Sequence, residues 1–137
     1  MTLTSMLLML GALSIASAQS QAILTNLATG KWSHDKGDPP GSESVFLRDD
    51  PKTGGMELLV RFPAGHVFPA HWHESNERII VLEGQLTLKQ DSGDTTLDPG
   101  GVAFLPARET QRLACAGKTR CTFYLAWDGK PKSFAAK

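Results

Sequence analysis

Apolar positions along this chain recur at strand spacing rather than helical spacing. Residues 45–48, 56–62, 66–73, 78–82, 86–88, 102–105, 111–115 and 121–127 are short runs rich in apolar, aromatic or β-branched side chains. Turn chemistry separates them: Asp49-Asp50-Pro51-Lys52-Thr53-Gly54-Gly55, Pro63-Ala64-Gly65, Glu83-Gly84-Gln85 and Asp91-Ser92-Gly93-Asp94. Eight or so short strands with regular turns predict an all-β sandwich or small barrel. Pro69 lies within the run 66–73 and implies a sheet edge or a bulge there. Residues 19–43 are poorly patterned and read as an N-terminal arm carrying Trp32, His34 and the turn-rich Lys36-Gly37-Asp38-Pro39-Pro40-Gly41. Such an arm suits packing on a partner subunit, and a homodimer is expected. Residues 129–137 read as a polar tail that frays.

The chain has 137 residues, enough for one domain. Its 14 basic and 14 acidic residues cancel, and no basic block occurs, which argues against nucleic acid or anionic membrane surfaces as partners. Residues 6–16 form a short apolar run ending in Ala16-Ser17-Ala18, an A-x-A pattern before Gln19. The run is shorter than the ~18 apolar residues of a membrane span. Residues 1–18 therefore read as a cleaved secretory signal and the protein as periplasmic or secreted, without a membrane anchor. The alternative is an N-terminal helix kept in the mature chain.

Cys115 and Cys121 flank Ala-Gly-Lys-Thr-Arg, which reads as a hairpin loop with Gly117 at its tip. Flanking strands would bring the two cysteines opposite each other, within reach of a disulfide that an oxidising compartment would preserve. Buried reduced thiols, or a Cys115 placed near Gln111, are the alternatives.

The candidate chemistry lies in Gly65-His66-Val67-Phe68-Pro69-Ala70-His71-Trp72-His73-Glu74-Ser75-Asn76-Glu77-Arg78, followed by Gly84. Side chains at i and i+2 of a strand share a face, so His71 and His73 present two imidazoles side by side. Glu77, across a turn or on the next strand, adds a carboxylate. That donor set suits a borderline divalent ion such as Fe, Mn, Zn or Ni and leaves coordination positions open. Without a metal, both histidines would be hydrogen-bonded lumen residues. His66 reads as a polar residue at the barrel mouth, Glu74 as solvated, Arg78 as an outer ion-pair partner and Trp72 as outward-facing. Phe62, Phe104, Phe123, Tyr124 and Trp127 read mostly as core or lining. No G-x-S-x-G elbow, phosphate-binding glycine loop or CxxC is present.

The spacing Gly65, His71, His73, Glu77, Gly84 resembles the first signature of the cupin superfamily. Gly100 and Pro106 resemble the start of the second, after which the family has Gly, two residues and His. Here Arg108 and Gln111 stand at those places. The resemblance implies a double-stranded β-helix, the jelly-roll barrel, over residues 44–128. It also implies a metal site at His71, His73 and Glu77, with Gln111 where the family's last histidine ligand stands. An amide oxygen there should bind borderline ions more weakly. The implied function is a metal-binding cupin acting on a small molecule by dioxygenase, isomerase or lyase chemistry. The rivals are a non-enzymatic small-ligand or metal-binding module and a degenerate cupin serving as an interaction domain.

Overall fold

The computed structural model describes residues 21–136. The proposed signal, residues 1–18, lies outside them. The described chain contains ten strands: β1 (Glu43–Asp49), β2 (Gly54–Phe62), β3 (Val67–His73), β4 (Glu77–Glu83), β5 (Gln85–Gln90), β6 (Gly93–Leu97), β7 (Val102–Leu105), β8 (Gln111–Ala116), β9 (Cys121–Gly129) and β10 (Ser133–Ala135). They form two five-stranded sheets, ordered β1-β2-β9-β4-β7 and β10-β3-β8-β5-β6, and every pairing is antiparallel. The all-β jelly-roll expectation is met.

The sheets enclose one core. Ile79, Val81, Leu86, Leu88, Leu105, Leu113, Phe123 and Leu125 are buried between them. Strand β4 shows how the chain selects a face. Its apolar run looks uniform, yet Ile79 and Val81 are buried while Ile80 and Leu82 point to the outer face and keep part of their surface in solvent. The alternation follows from the two-residue period of the pleat.

Two expectations need revision, and one open alternative is resolved. The segment between Cys115 and Cys121 is not a hairpin within one sheet, because β8 and β9 belong to different sheets. The disulfide forms, with Cα atoms 5.6 Å apart, and it joins the two sheets. The tail does not simply fray, since β10 pairs with β3, matching Ser133 with His73, Phe134 with Trp72 and Ala135 with His71. Strand β3 is consequently not an edge. Pro69 instead sits where the β3–β8 register slips between Phe68 and His71, the bulge alternative.

The arm folds back on its own chain. Ser33 bridges Ser44, and the Arg61 guanidinium lies 4.2 Å over the Trp32 ring. His34 is exposed and its Nδ1 lies 2.7 Å from the Ser42 carbonyl.

Candidate metal centre

The two sheets bring the predicted donors together from opposite sides. His71 and His73 face inward from β3, and Gln111 lies beside His71 in the β3–β8 register. Glu77 opens β4 in the other sheet, flanked in register by Trp127 of β9 and Leu105 of β7. All four side chains are buried.

Backbone carbonyls set the imidazole tautomers. His71 Nδ1 lies 2.8 Å from the Pro69 carbonyl, and His73 Nδ1 lies 3.2 Å from that of Lys132. A carbonyl only accepts, so each Nδ1 carries the proton and each Nε2 keeps its lone pair. His73 Nε2 lies 3.4 Å from Glu77 Oε2, and the His71 and His73 rings are 5.0 Å apart by centroid. Such backbone anchoring is the outer support that orients imidazoles as metal ligands.

The fourth residue behaves differently from the sequence expectation. The Gln111 amide nitrogen donates to Glu77 Oε2, so the amide does not offer its oxygen to the centre. Gln111 Oε1 is buried without a hydrogen-bond partner. With Glu77 ionised, turning the amide would set Oε1 against a carboxylate oxygen, two acceptors face to face. In this arrangement Gln111 holds Glu77 in place.

Burial governs the electrostatics. It pushes the Glu77 carboxyl up to about 7, against which the Gln111 hydrogen bond works only in part. It also lowers the affinity of His71 and His73 for a proton, and His71 lowers that of His73 further. Two neutral imidazoles therefore face a carboxylate that its apolar surroundings disfavour as an anion. Among the described residues no three His, Cys, Asp or Glu side chains make a preassembled metal cage. The donors nevertheless fit a borderline divalent ion in kind: two free Nε2 lone pairs and one carboxylate left without a cation.

A cavity of about 160 Å³ opens over His71, His73 and Glu77, walled by Leu58, Phe68, Leu125 and Trp127 with Pro131 and Ser133. It is small beside the ~300–1,000 Å³ of pockets that take drug-sized molecules.

The other sequence candidates lie elsewhere. Arg78 is on the outer face, paired with Asp128 at 2.6 Å, and Glu74 is exposed. Trp72 faces away from the donors and stacks on Phe134 at 4.2 Å. His66 packs 4.5 Å from the Phe62 ring, away from the donor set, with Nε2 buried and unpartnered. The sequence reading missed the Lys132 carbonyl and Ser133. Neither carries a residue-type signal; only Phe134, an aromatic in a polar tail, hinted at an ordered strand.

The Cupin domain family matches residues 58–127, more than half of the chain. The chain belongs to the cupin family. Among curated relatives, this cupin is 31% identical over 94 residues to the DNA damage-repair/toleration protein DRT102 of Arabidopsis thaliana. That alignment covers 66% of the chain but only 28% of the relative's length. The polyketide cyclase RemF of Streptomyces resistomycificus shares the fold with a TM-score of 0.70 and 21% identity, over 85% of this chain and 87% of that one. A cupin sugar phosphate isomerase of Silicibacter pomeroyi does so with a TM-score of 0.66 and 21% identity, over 82% and 80% of the two chains. At these identities the likeness is one of fold.

Proposed function

We propose that this cupin binds a divalent metal through His71, His73 and Glu77 and holds a small, largely apolar organic molecule in the cavity over them. The observation that supports this reading is the pair of Nδ1–H groups tied to the Pro69 and Lys132 carbonyls, which leaves two Nε2 lone pairs beside a buried carboxylate. Like-for-like electron pairs at such range call for a cation or a proton between them. A borderline ion, Fe, Mn, Zn or Ni, would act there as a Lewis acid or as a site for oxygen. The chain's own residues supply the rest. Leu58, Phe68, Leu125 and Trp127 exclude water, and Gln111 orients Glu77.

The relatives do not choose the reaction. One bears the name of a cyclase and another of an isomerase, and a shared fold hosts many chemistries. The name of the Arabidopsis relative suggests nucleic acid, but the alignment spans 28% of it, and a chain with 14 basic and 14 acidic residues has no basic block to meet phosphates.

Export is part of the proposal. The inter-sheet disulfide supports it, since such bonds persist in oxidising compartments. Intact mass of the exported protein should show a chain starting at Gln19.

A second reading, a binding module without turnover, is favoured by one observation. The Gln111 amide nitrogen, which cannot ligate, stands at the family's last ligand position. Elemental analysis and titration with divalent ions test the metal. One ion per chain, lost in His71→Ala and His73→Ala and retained in weakened form in Gln111→Ala, is expected. Full occupancy in both histidine variants would overturn the assignment. Turnover by the loaded protein separates enzyme from module.

A further inference from the structure

We propose that β10 is a positioning strap that fixes the tautomer and direction of His73, and that the Trp72–Phe134 stack is its latch. The strap's consequence for metal affinity rests on the proposed metal reading, but its effect on His73 does not.

The strand has only three residues, yet it lies in register against the candidate ligands: Ser133 against His73, Phe134 against Trp72, Ala135 against His71. The residue just before it, Lys132, gives its carbonyl to His73 Nδ1 at 3.2 Å, and Ser133 Oγ lies 3.3 Å from the same nitrogen. Ala136 N–H adds a 3.0 Å bond to the Ala70 carbonyl beyond the strand. Pro131 and Ser133 also form part of the cavity wall. One element therefore both orients a candidate ligand and shapes the space over it.

The two histidines differ in their support. His71 is anchored by Pro69, two residues away on its own strand, whereas the anchor of His73 is 59 residues distant in sequence. Three residues of strand hold weakly by backbone pairing alone. What adds to them is the outer face, where the Trp72 and Phe134 rings are nearly parallel at 11° and the Lys132 ammonium lies 4.7 Å over Phe134. Aromatic stacking of this kind contributes beyond area burial. Because side chains alternate along β3, the ring on Trp72 points outward while its neighbours point to the centre. Loosening the outer stack should release the inner histidine.

The test uses full-length, metal-free protein at pH 8 and long-range imidazole ¹H–¹⁵N correlations, which assign the protonated nitrogen. In the wild type both His71 and His73 should read as Nδ1–H. In Phe134→Ala, His73 should shift to a mixture with substantial Nε2–H while His71 is unchanged. Phe134→Tyr, which keeps the ring, should restore the wild-type pattern. Ala136→Pro, which removes the Ala136 N–H bond to the Ala70 carbonyl, is the second variant and should act like Phe134→Ala. Affinity for Co(II) or Zn(II) should fall roughly 10–100-fold in both disruptive variants, the range for lost outer-shell partners. A His73 that stays Nδ1–H in both variants overturns the strap. If the wild type binds no ion, the metal reading falls while the tautomer result still decides the strap.

Discussion

Single residues at this site divide into those whose role is set by spacing and those whose role is set by packing. His71 and His73 were legible because the pleat has a period of two and nothing else is needed to place them on one face. Gln111 was legible as a position but not as a role. Whether an amide offers oxygen or nitrogen depends on its neighbour, and here that neighbour is Glu77. Arg108 is similar. It adopts φ 68°, the left-handed region, at a place where the family has glycine, and its N–H donates to the His73 carbonyl at 2.8 Å. A non-glycine residue there costs roughly 1–2 kcal/mol, part of which glycine returns as unfolded-state entropy. Arg108→Gly should therefore stabilise the fold by about 0.5–1 kcal/mol in denaturant melts; a loss of stability would show that the Arg108 side chain has a role of its own.

Glu77 yields a second prediction at this scale. Its folded carboxyl titrates at about 7 and an unfolded one near 4.5. Above pH 7 both states are ionised and the folded state bears the full cost of burying the charge. As pH falls from 7 toward 4.5 the folded carboxyl takes up its proton first, so that cost disappears. His71 and His73, lowered by burial, act the other way below about 6.5 and partly mask it. Glu77→Gln isolates the term. In chelator-treated protein at pH 8 the variant should exceed the wild type by up to about 3 kcal/mol, at 1.36 kcal/mol per pKa unit, and the gap should close by pH 4.5. A gap that does not change with pH would mean that Glu77 is not a buried, unpaired acid.

Among the elements, the longer strands were legible from their apolar runs and turn residues, and β3 with its Pro69 bulge also matched. Strands β6 and β10 were not. Strand β6 sits at a sheet edge and sets a single apolar residue, Leu97 at its end, against the core, so it carries no repeating core pattern, and β10 exists only because β3 offers it a ladder. The turn between β4 and β5 shows why a signature glycine can be structural. Gly84 has φ 73°, and a Cβ there would run into the Arg120 backbone carbonyl. Gly84→Ala should cost at least ~2 kcal/mol in thermal or denaturant unfolding, because it combines a left-handed backbone with a clash against main chain that cannot rotate away. A change under ~0.5 kcal/mol would mean that β4 and β9 can separate freely at that end.

At the scale of the molecule, what the pattern of runs and turns could not reveal was which strands share a sheet. Period and turn chemistry are local, while sheet membership is decided by the packing of the whole barrel. The Cys115–Cys121 loop illustrates the difference: its five intervening residues look like a hairpin loop but carry the chain from one sheet to the other. The register of β4 on β9 then places two ties between the sheets at opposite ends. Glu77 lies beside Trp127 at the site end, and Glu83 beside Thr122, next to Cys121, at the other. At ~3.3 Å per residue these ends are roughly 20 Å apart. A metal bound by His71, His73 and Glu77 would clamp the sheets at one end as the disulfide does at the other. Reducing the disulfide releases a short loop and should cost about 2 kcal/mol by loop-closure entropy, while a saturating ion at 100 times its dissociation constant should add about 2.7 kcal/mol. Sites this far apart act independently to within ~0.5 kcal/mol. Unfolding of the oxidised and reduced protein, each with and without Zn(II), should therefore show additive effects, and reduction should leave the affinity for the ion unchanged. A coupling above ~1 kcal/mol would show that the sheets shift against each other as rigid units, so that either tie sets the geometry of the other.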